Sequence, residues 1–433
     1  MAMDGKELVE KLAKLRQVQS IKDIPQLTHA LFPGTHCPLM GAAMAVGGIK
    51  NSLIVVVGTD ECTYYTKSMT IHSEKFGGID GRCVSVVLDD HDVTFGSAEK
   101  VQEAFKEIIE EYRPQCVFLV TTCVIEIIGD DFDAISEGLS ELYGIPVLPV
   151  HTEHFKCEDH LPGLERTITV CAEMMKSCDS DNSVNLLGQR MGDFATTELY
   201  AMLQKAGVKI GLQLPCGCSV DDIKNAAAAK VNIVVNDIAL PLAQKMQEKF
   251  GIPYVYFNKF VIPEKIYEAY KNLFGYLELE LPGELEGLYQ NAREKIEKNK
   301  GELEGITYIY GNTPYAVFEM NCFLSSLGMV PQVIQTNRYT EADEPYAKEI
   351  LQYTDPYVCK AANIAPLQYV YDVLSPYLYL GHEFGNRLRQ KGIAIVHSDR
   401  ASGMLGFEVT GYLLQQLVKS VREAKEYRKE LGL

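Results

Sequence analysis

The stretch CVFLVTTCVIEIIGDDFDAISEGLSELYGIPVLPV (116–150) decides the fold class. It opens with an apolar, β-branched run at 116–122, too short for an ordinary helix and suited to a buried strand. Residues 133–143 then place apolar side chains at helical spacing. A second short apolar run, PVLPV (146–150), returns to strand character. A strand, a helix and a second fully apolar strand predict a parallel pair covered by helices on both faces.

The same alternation extends in both directions. Further strands are expected at 53–57, 84–88, 208–214, 231–236, 253–257, 307–311, 331–336, 377–381 and 393–397. Helical patterns occupy 98–112, 239–250, 314–327 and 363–374, and a final helix covers about 406–429. Eleven strands are too many for one sheet here. A Ser/Asp/Asn-rich stretch, SCDSDNSVN (177–185), and a polar helical stretch, 283–305, divide them into three groups. The expected architecture is α/β, with three doubly wound Rossmann-like domains at 1–180, 181–300 and 301–433. In open parallel sheets, ligands bind beyond the carboxyl ends of the strands, so chemistry is sought there.

Composition narrows the function classes. The 433 residues are 47% hydrophobic and 23% charged, which suits large cores rather than a disordered chain. Lys and Arg total 41 against 58 Asp and Glu, a net charge of −17. Such a chain has no basic face for nucleic acid or for an anionic membrane. No apolar run approaches a membrane span, and the start, MAMDGKELVEKLAKLRQVQ, lacks the apolar core of a secretory signal. A cytoplasmic location is expected. There the 12 cysteines stay reduced, and most serve as small buried hydrophobes.

Three cysteines occupy comparable places in the first expected domain. Cys37 lies in PGTHCPLMGAAMAVGG (33–48), a loop that opens a helix. Cys62 follows strand 53–57 in GTDEC, and Cys123 follows strand 116–122 in TTC. At each strand-to-helix turn, free N–H groups and the helix dipole stabilise negative charge, as thiolates and cluster sulfides require. The spacings, 25 and 61 residues, are not those of ferredoxins or zinc fingers. From the residues alone, core cysteines and metal ligands both stand as readings.

Five stretches carry a resemblance: HCPLMGA, VVVGTDECTYY, TTCVIEIIGDDFDAI, AKVNIVVN…MQEKFGIPYVYFN and HSDRASGMLGFE. They resemble the nitrogenase component 1 superfamily from about residue 30 to the end. That superfamily includes the nitrogenase α and β subunits, cofactor-assembly scaffolds, dark-operative protochlorophyllide and chlorophyllide reductases, and methylthio-alkane reductases. The resemblance implies that Cys37, Cys62 and Cys123 ligate an iron–sulfur cluster shared with a related β-type subunit, or with a second copy of this chain. The cluster would be a four-iron [4Fe-4S] or a P-type [8Fe-7S] group. Glu61 stands where nitrogenase α subunits carry Gly, and the G-T-x-x-C form is closer to protochlorophyllide reductase subunits, which hold the smaller cluster. An α2β2 assembly and an ATP-dependent iron protein as electron donor are the implied partners. No Walker A motif is present, so ATP hydrolysis is not expected of this chain itself.

A second site is expected at the later strand ends. His397 matches the His that binds the molybdenum end of the nitrogenase cofactor. Asn236 falls where that cofactor's Cys ligand would stand, and an amide does not replace a thiolate. Cys216 and Cys218, in LPCGCSVDD just beyond strand 208–214, are expected to face the same cleft and hold a second, nitrogenase-type iron–sulfur cofactor. His160, with Cys157 in EHFKCEDHLPG, falls where the family lines its substrate pocket. His382 and Glu383, in GHEFGN (381–386), follow strand 377–381 and suit proton transfer. YGNTPYAVFE (310–319) reads as a turn into a helix.

Three functions follow as expectations. The first is a reductase component that passes electrons through the cysteine cluster to a substrate in the cleft. The second is a scaffold for assembly of a nitrogenase-type cofactor. The third, a metal-free sugar- or cofactor-binding α/β protein, leaves the three placed cysteines unexplained.

Overall fold

Alternate residues of the strand Ser52–Gly58 enter two different cores. Ile54 and Val56 join one, with Phe118, Val120 and Val150. Leu53, Val55 and Val57 join the other, with Val117, Leu119 and Val147. A strand whose two faces are both buried reads as continuously apolar, and this one is covered along its whole length. The computed structural model describes residues 4–27, 36–71, 82–157, 159–190, 192–311, 313, 316–360 and 364–433.

The first sheet is four-stranded and parallel, in the order Cys83–Val87, Ser52–Gly58, Cys116–Thr121, Val147–Val150. One face is covered by the helices Ala98–Tyr112 and Phe132–Tyr143. Val101, Phe105 and Ile108 of the first, and Ile135 and Leu139 of the second, point inward at helical spacing. Each such burial contributes about 1.5–3 kcal/mol. The other face takes Pro38–Gly47 and Leu161–Val170, whose crossing is closed by two glycines. A side chain at Gly41 would meet the His160 carbonyl oxygen at 1.9 Å, and one at Gly163 the Pro38 carbonyl oxygen at 1.9 Å.

The second sheet runs Tyr254–Tyr256, Val231–Val234, Val184–Gln189, Ile210–Pro215, again parallel. Its strand Val184–Gln189 begins inside the polar stretch that the sequence marks as a separator. Asn185 interrupts the apolar run, so the strand was not anticipated. In the fold its side-chain amide donates to Asn232 Oδ1 at 2.8 Å and to the Ala226 carbonyl at 2.8 Å. These bonds offset the cost of burying the amide.

The third sheet is six-stranded: Ala13–Lys14, Tyr357–Cys359, Val330–Gln335, Thr307–Tyr310, Leu378–Leu380, Ala394–Val396. Five strands are parallel, and the first is antiparallel at the edge. This corrects the expected 1–180 unit at its start. Leu8, Leu12 and Leu27 are buried with Ile309, Val333 and Tyr379 of the third sheet, and Arg16 pairs with Asp355. The short strand Tyr357–Cys359 was also not anticipated. Helix Glu408–Leu431 closes this sheet and packs on helix Leu285–Leu303. The architecture is α/β with three Rossmann-like sheets, parallel but for the one edge strand, as expected. No described helix is long and apolar enough to cross a membrane.

Candidate metal centre and the adjoining cleft

Each of the three cysteines stands at the start of a helix. Cys37 is the residue before Pro38–Gly47, with Pro38 at the first helical position. Cys62 lies in the first turn of Asp60–Ile71, directly after strand Ser52–Gly58. Cys123 opens Cys123–Ile128, directly after strand Cys116–Thr121. The last two are brought together by one close approach. Thr122 Oγ1 donates to the Val57 carbonyl at 2.9 Å, and a side chain at Gly58 would meet that hydroxyl at 2.1 Å. The glycine of G-T-D-E-C therefore lets two strand ends touch.

The glutamate of TTC-V-I-E anchors the neighbouring loop. Glu126 Oε1 accepts from Thr121 Oγ1 at 2.7 Å, Thr152 Oγ1 at 3.1 Å and the Glu153 N–H at 2.6 Å. Thr59 Oγ1 lies 3.5 Å from Cys62 Sγ.

All three thiols are half-buried. Burial first, and then the Cys62 and Cys37 sulfurs, raise the Cys123 thiol above its ordinary value, so the three groups feel one another's charge. They are not gathered as tightly as ligands of one ion. Among the described residues, the group of three metal-capable side chains within 4.8 Å of one another is Asp89, His91 and Asp92. Lys100 already bridges that group, at 2.9 Å from Asp89 and 2.6 Å from Asp92. A single tetrahedral ion with arms of about 2.3 Å would hold sulfurs roughly 3.8 Å apart. Three soft donors set wider than that fit a polynuclear iron–sulfur group. Exposed Tyr64 and Tyr65 follow Cys62 in sequence, and exposed Ile127 follows Cys123.

The cleft residues come from all three sheets. His160 precedes helix Leu161–Val170, its ring centroid 6.4 Å from that of His36. Burial first, then the Arg190 charge, holds its imidazole down to about 4, so it is neutral at pH 7. Arg190 follows strand Val184–Gln189, and Cys216 follows Ile210–Pro215. Cys216 Sγ donates to the Arg190 carbonyl at 3.1 Å. Burial raises this thiol, while Arg190 and Lys259 draw it back. Lys259, beyond Tyr254–Tyr256, is buried, and its ammonium donates to the Ser402 carbonyl. Burial first, then Arg190, brings it down to about 7.

The expected set is thus only partly assembled. Cys216 reaches the cleft, but Cys218 does not. Cys218 pairs with Ile49 in a two-stranded ladder and is buried in the core with Cys116 and Cys171, its thiol pushed up to about 12 by burial. The C-x-C turn sends its two sulfurs to different places. Asn236 is half-buried, and its Oδ1 accepts from the Ile238 N–H at 3.2 Å as a helix cap. His397 is exposed at the end of Ala394–Val396. His382 lies 3.4 Å from Asp399, joining two strand-end loops of the third sheet. Residues 312, 314 and 315 of the YGNTPYAVFE turn lie outside the described residues. Arg190 and Lys259 were not anticipated. Both follow strand ends, but Val184–Gln189 was not recognised as a strand, and Lys259 sits in no recognised motif.

Comparison with known proteins agrees with this architecture. The family model described as nitrogenase component 1 type oxidoreductase matches residues 37–422. The chain is 31% identical over 224 residues to the nitrogenase iron-molybdenum cofactor biosynthesis protein NifE of Clostridium pasteurianum, covering 51% of this chain and 49% of that protein. It is 25% identical over 309 residues to the nitrogenase molybdenum-iron protein alpha chain of Methanosarcina barkeri, covering 68% and 58%. The chain therefore spans about half to three-fifths of the length of these relatives. The solved structure of nitrogenase Cp1 at pH 6.5 superposes with a TM-score of 0.78 at 15% identity, over 92% of this chain and 94% of that one, which shows the fold. From the matched family model and the shared architecture, the chain belongs to the nitrogenase component 1 type oxidoreductase family.

Proposed function

We propose that this chain is one subunit of a nitrogenase-type scaffold, holding an interfacial iron–sulfur cluster on Cys37, Cys62 and Cys123 and a cofactor precursor in the cleft. The observation that carries the reading is the convergence of three half-buried thiols at three helix starts. Three thiolates leave a cluster short of ligands, and a related β-type subunit or a second copy would supply the rest. Bound there, such a group supplies one-electron chemistry and the positive charge that makes adjacent thiolates favourable. This chain's own residues orient and bury it. Gly58 and Thr122 close the two strand ends, and Glu126 fixes the loop after Val147–Val150.

The scaffold reading is favoured over a catalytic one by the relatives named as cofactor biosynthesis proteins and by the weak cleft ligand set. Asn236 is a cap, Cys218 is in the core, and Cys216 and His397 remain. A loosely held precursor suits such a set. The reductase reading is favoured by the match to an alpha chain over 68% of this sequence and by His160, a neutral imidazole in the cleft. In that reading an ATP-dependent iron protein donates the electrons.

Helix Pro38–Gly47 links the two sites. It starts at Cys37 and ends where Gly48 meets Pro215 and Cys216, a span of about 15 Å for ten residues. The test is anaerobic purification with the natural partner, iron and sulfide analysis, and EPR, alongside Cys62→Ala. Iron in the parent and its loss in the variant are expected, with no loss in Cys116→Ala. An iron-free parent would sink the reading. Transfer of the cluster to an acceptor supports the scaffold, whereas turnover with an iron protein, ATP and reductant supports the reductase.

A further inference from the structure

Glu319 is an acid buried at the seam between the second and third sheets. It lies in the first turn of helix Val317–Ser326, beyond strand Thr307–Tyr310, and is 4% exposed. Across the seam runs the segment that leads from strand Tyr254–Tyr256 into helix Pro263–Leu277. Val261 of that segment is buried in the core of the third sheet. Its carbonyl accepts from Thr410 Oγ1 at 2.8 Å, and its N–H faces the Glu319 carboxyl. The second sheet is thus fastened to the third two residues beyond Lys259.

The carboxyl is poorly provided for. Oε1 has no hydrogen-bond partner, and Oε2 has only a long contact with the Tyr346 hydroxyl, at 3.5 Å. The base at hand is Lys265, half-buried in the first turn of Pro263–Leu277. Its ammonium rests on the face of the Tyr346 ring, 3.9 Å from the centroid. One tyrosine of helix Glu344–Tyr353 therefore carries the acid at its hydroxyl and the base on its ring. The other titratable groups around the acid bring no positive charge. Tyr256 and Tyr310 are phenols raised by burial, and the Cys322 thiol, one turn along, donates to Glu349. Strand Val330–Gln335, on which the helix also packs, has no titratable side chain. Burial first, eased by Lys265 and then by the Val261 N–H, pushes the Glu319 carboxyl up to about 7. An ionised Oε1 without a donor is costly, and Lys265 is within the field that would supply one.

We propose that Glu319, Tyr346 and Lys265 form a proton-operated latch on the segment joining the second sheet to helix Pro263–Leu277. With Glu319 neutral, the Lys265 ammonium rests on the Tyr346 ring. With Glu319 ionised, the ammonium leaves the ring and pairs with the carboxylate, and the helix start that carries it moves too. Lys265 has a long, flexible stem suited to such a swing, and the two resting places share one tyrosine. Because Val261 and Lys265 flank the start of that helix, the proton on Glu319 sets where the second sheet's last strand end lies against the third sheet. The latch is independent of any cluster on the cysteines.

The test uses the full chain, purified anaerobically. Infrared difference spectra of the parent should lose a protonated-carboxyl band between about pH 5 and about pH 9, with its midpoint near neutrality, and Glu319→Gln should lack that band. Lys265→Met keeps an apolar stem on the ring and removes the ammonium. It should raise the midpoint by at least about one pH unit, tenfold in the proton equilibrium, because a contact pair has been removed. A smaller rise leaves Lys265 on Tyr346 in both states and overturns the latch. Urea unfolding gives a second reading. The folded chain keeps the Glu319 proton up to about 7, whereas the unfolded chain releases it near 4.5, so parent stability falls as pH rises through that window, by up to roughly 300-fold in the folding constant. Glu319→Gln should lack this fall, and parallel pH profiles overturn the proposal. Hydrogen exchange across residues 261–265, corrected for the intrinsic rate, should change over the same window in the parent and not in Glu319→Gln; unchanged exchange in the parent also overturns it. Should Glu319→Gln fail to fold, the infrared midpoint of Lys265→Met against the parent decides.

Discussion

The cysteine half-site and the cleft are built on opposite plans. The half-site is three half-buried thiols at helix starts, in segments that also carry exposed Tyr64, Tyr65 and Ile127. The cleft gathers an arginine, a lysine and one thiol at strand ends. On the proposed reading, the first would take its remaining ligands from another chain. The second holds its groups by contacts to backbone carbonyls within one chain. Half-buried thiols beside exposed apolar side chains suit a surface that a second chain covers, whereas groups bonded to backbone inside the chain need none.

The half-site should break most sharply at Gly58. Gly58→Ala drives a methyl into Thr122, whose hydroxyl, Cγ2 and Cβ all lie within 2.8 Å of the added atom. Overpacking of this kind is expected to cost about 3 kcal/mol. It should also lower iron content, because it parts the strand ends that bring Cys62 and Cys123 together. Normal iron and normal stability in this variant would show that the close approach does not position the ligands.

The cleft should show itself in pH dependence. His160 binds its proton only near pH 4 when folded, against 6.5 for a free histidine. Between those values the unfolded chain takes up a proton that the folded chain refuses, so stability falls as pH drops through that window. At pH 5 the loss is about 2 kcal/mol. His160→Gln removes it, and the difference between variant and parent in urea unfolding should narrow or reverse from pH 7 to pH 5. A pH-independent difference would place His160 in a solvated setting.

The smallest effect separates cap from ligand. Asn236→Ala removes the bond to the Ile238 N–H, at a cost of about 1 kcal/mol, with metal content unchanged. A change in metal content instead would return Asn236 to the ligand set.

Much of the fold was legible because its signals are local. Apolar runs at 53–57 and 116–122, and helical spacing at 98–112 and 133–143, match the elements formed to within a residue or two. Val184–Gln189 escaped because Asn185 looks polar in isolation, and its partners, Asn232 and Ala226, are more than 40 residues away. Tyr357–Cys359 escaped because three residues show no period. The N-terminal segment was assigned by proximity in sequence, whereas hydrophobic burial placed it on the third sheet.

The same division runs through the site. Three cysteines, each following a strand or opening a helix, were readable as a set because the strand-to-helix turn is a local device with a known place at the sheet's carboxyl edge. The sequence by itself determined that these thiols stand at helix starts, that the chain is α/β, and that nothing in it is a Walker A loop. Only the tertiary structure decided that Cys216 enters the cleft while Cys218, two residues on, joins the core; that Asn236 caps its own turn; and that Arg190 and Lys259 meet. Backbone preference and hydrophobic period act over a few residues and are written in order along the chain. Burial, charge pairing and close approach depend on which distant segments share a volume, and that is settled only when the three sheets pack.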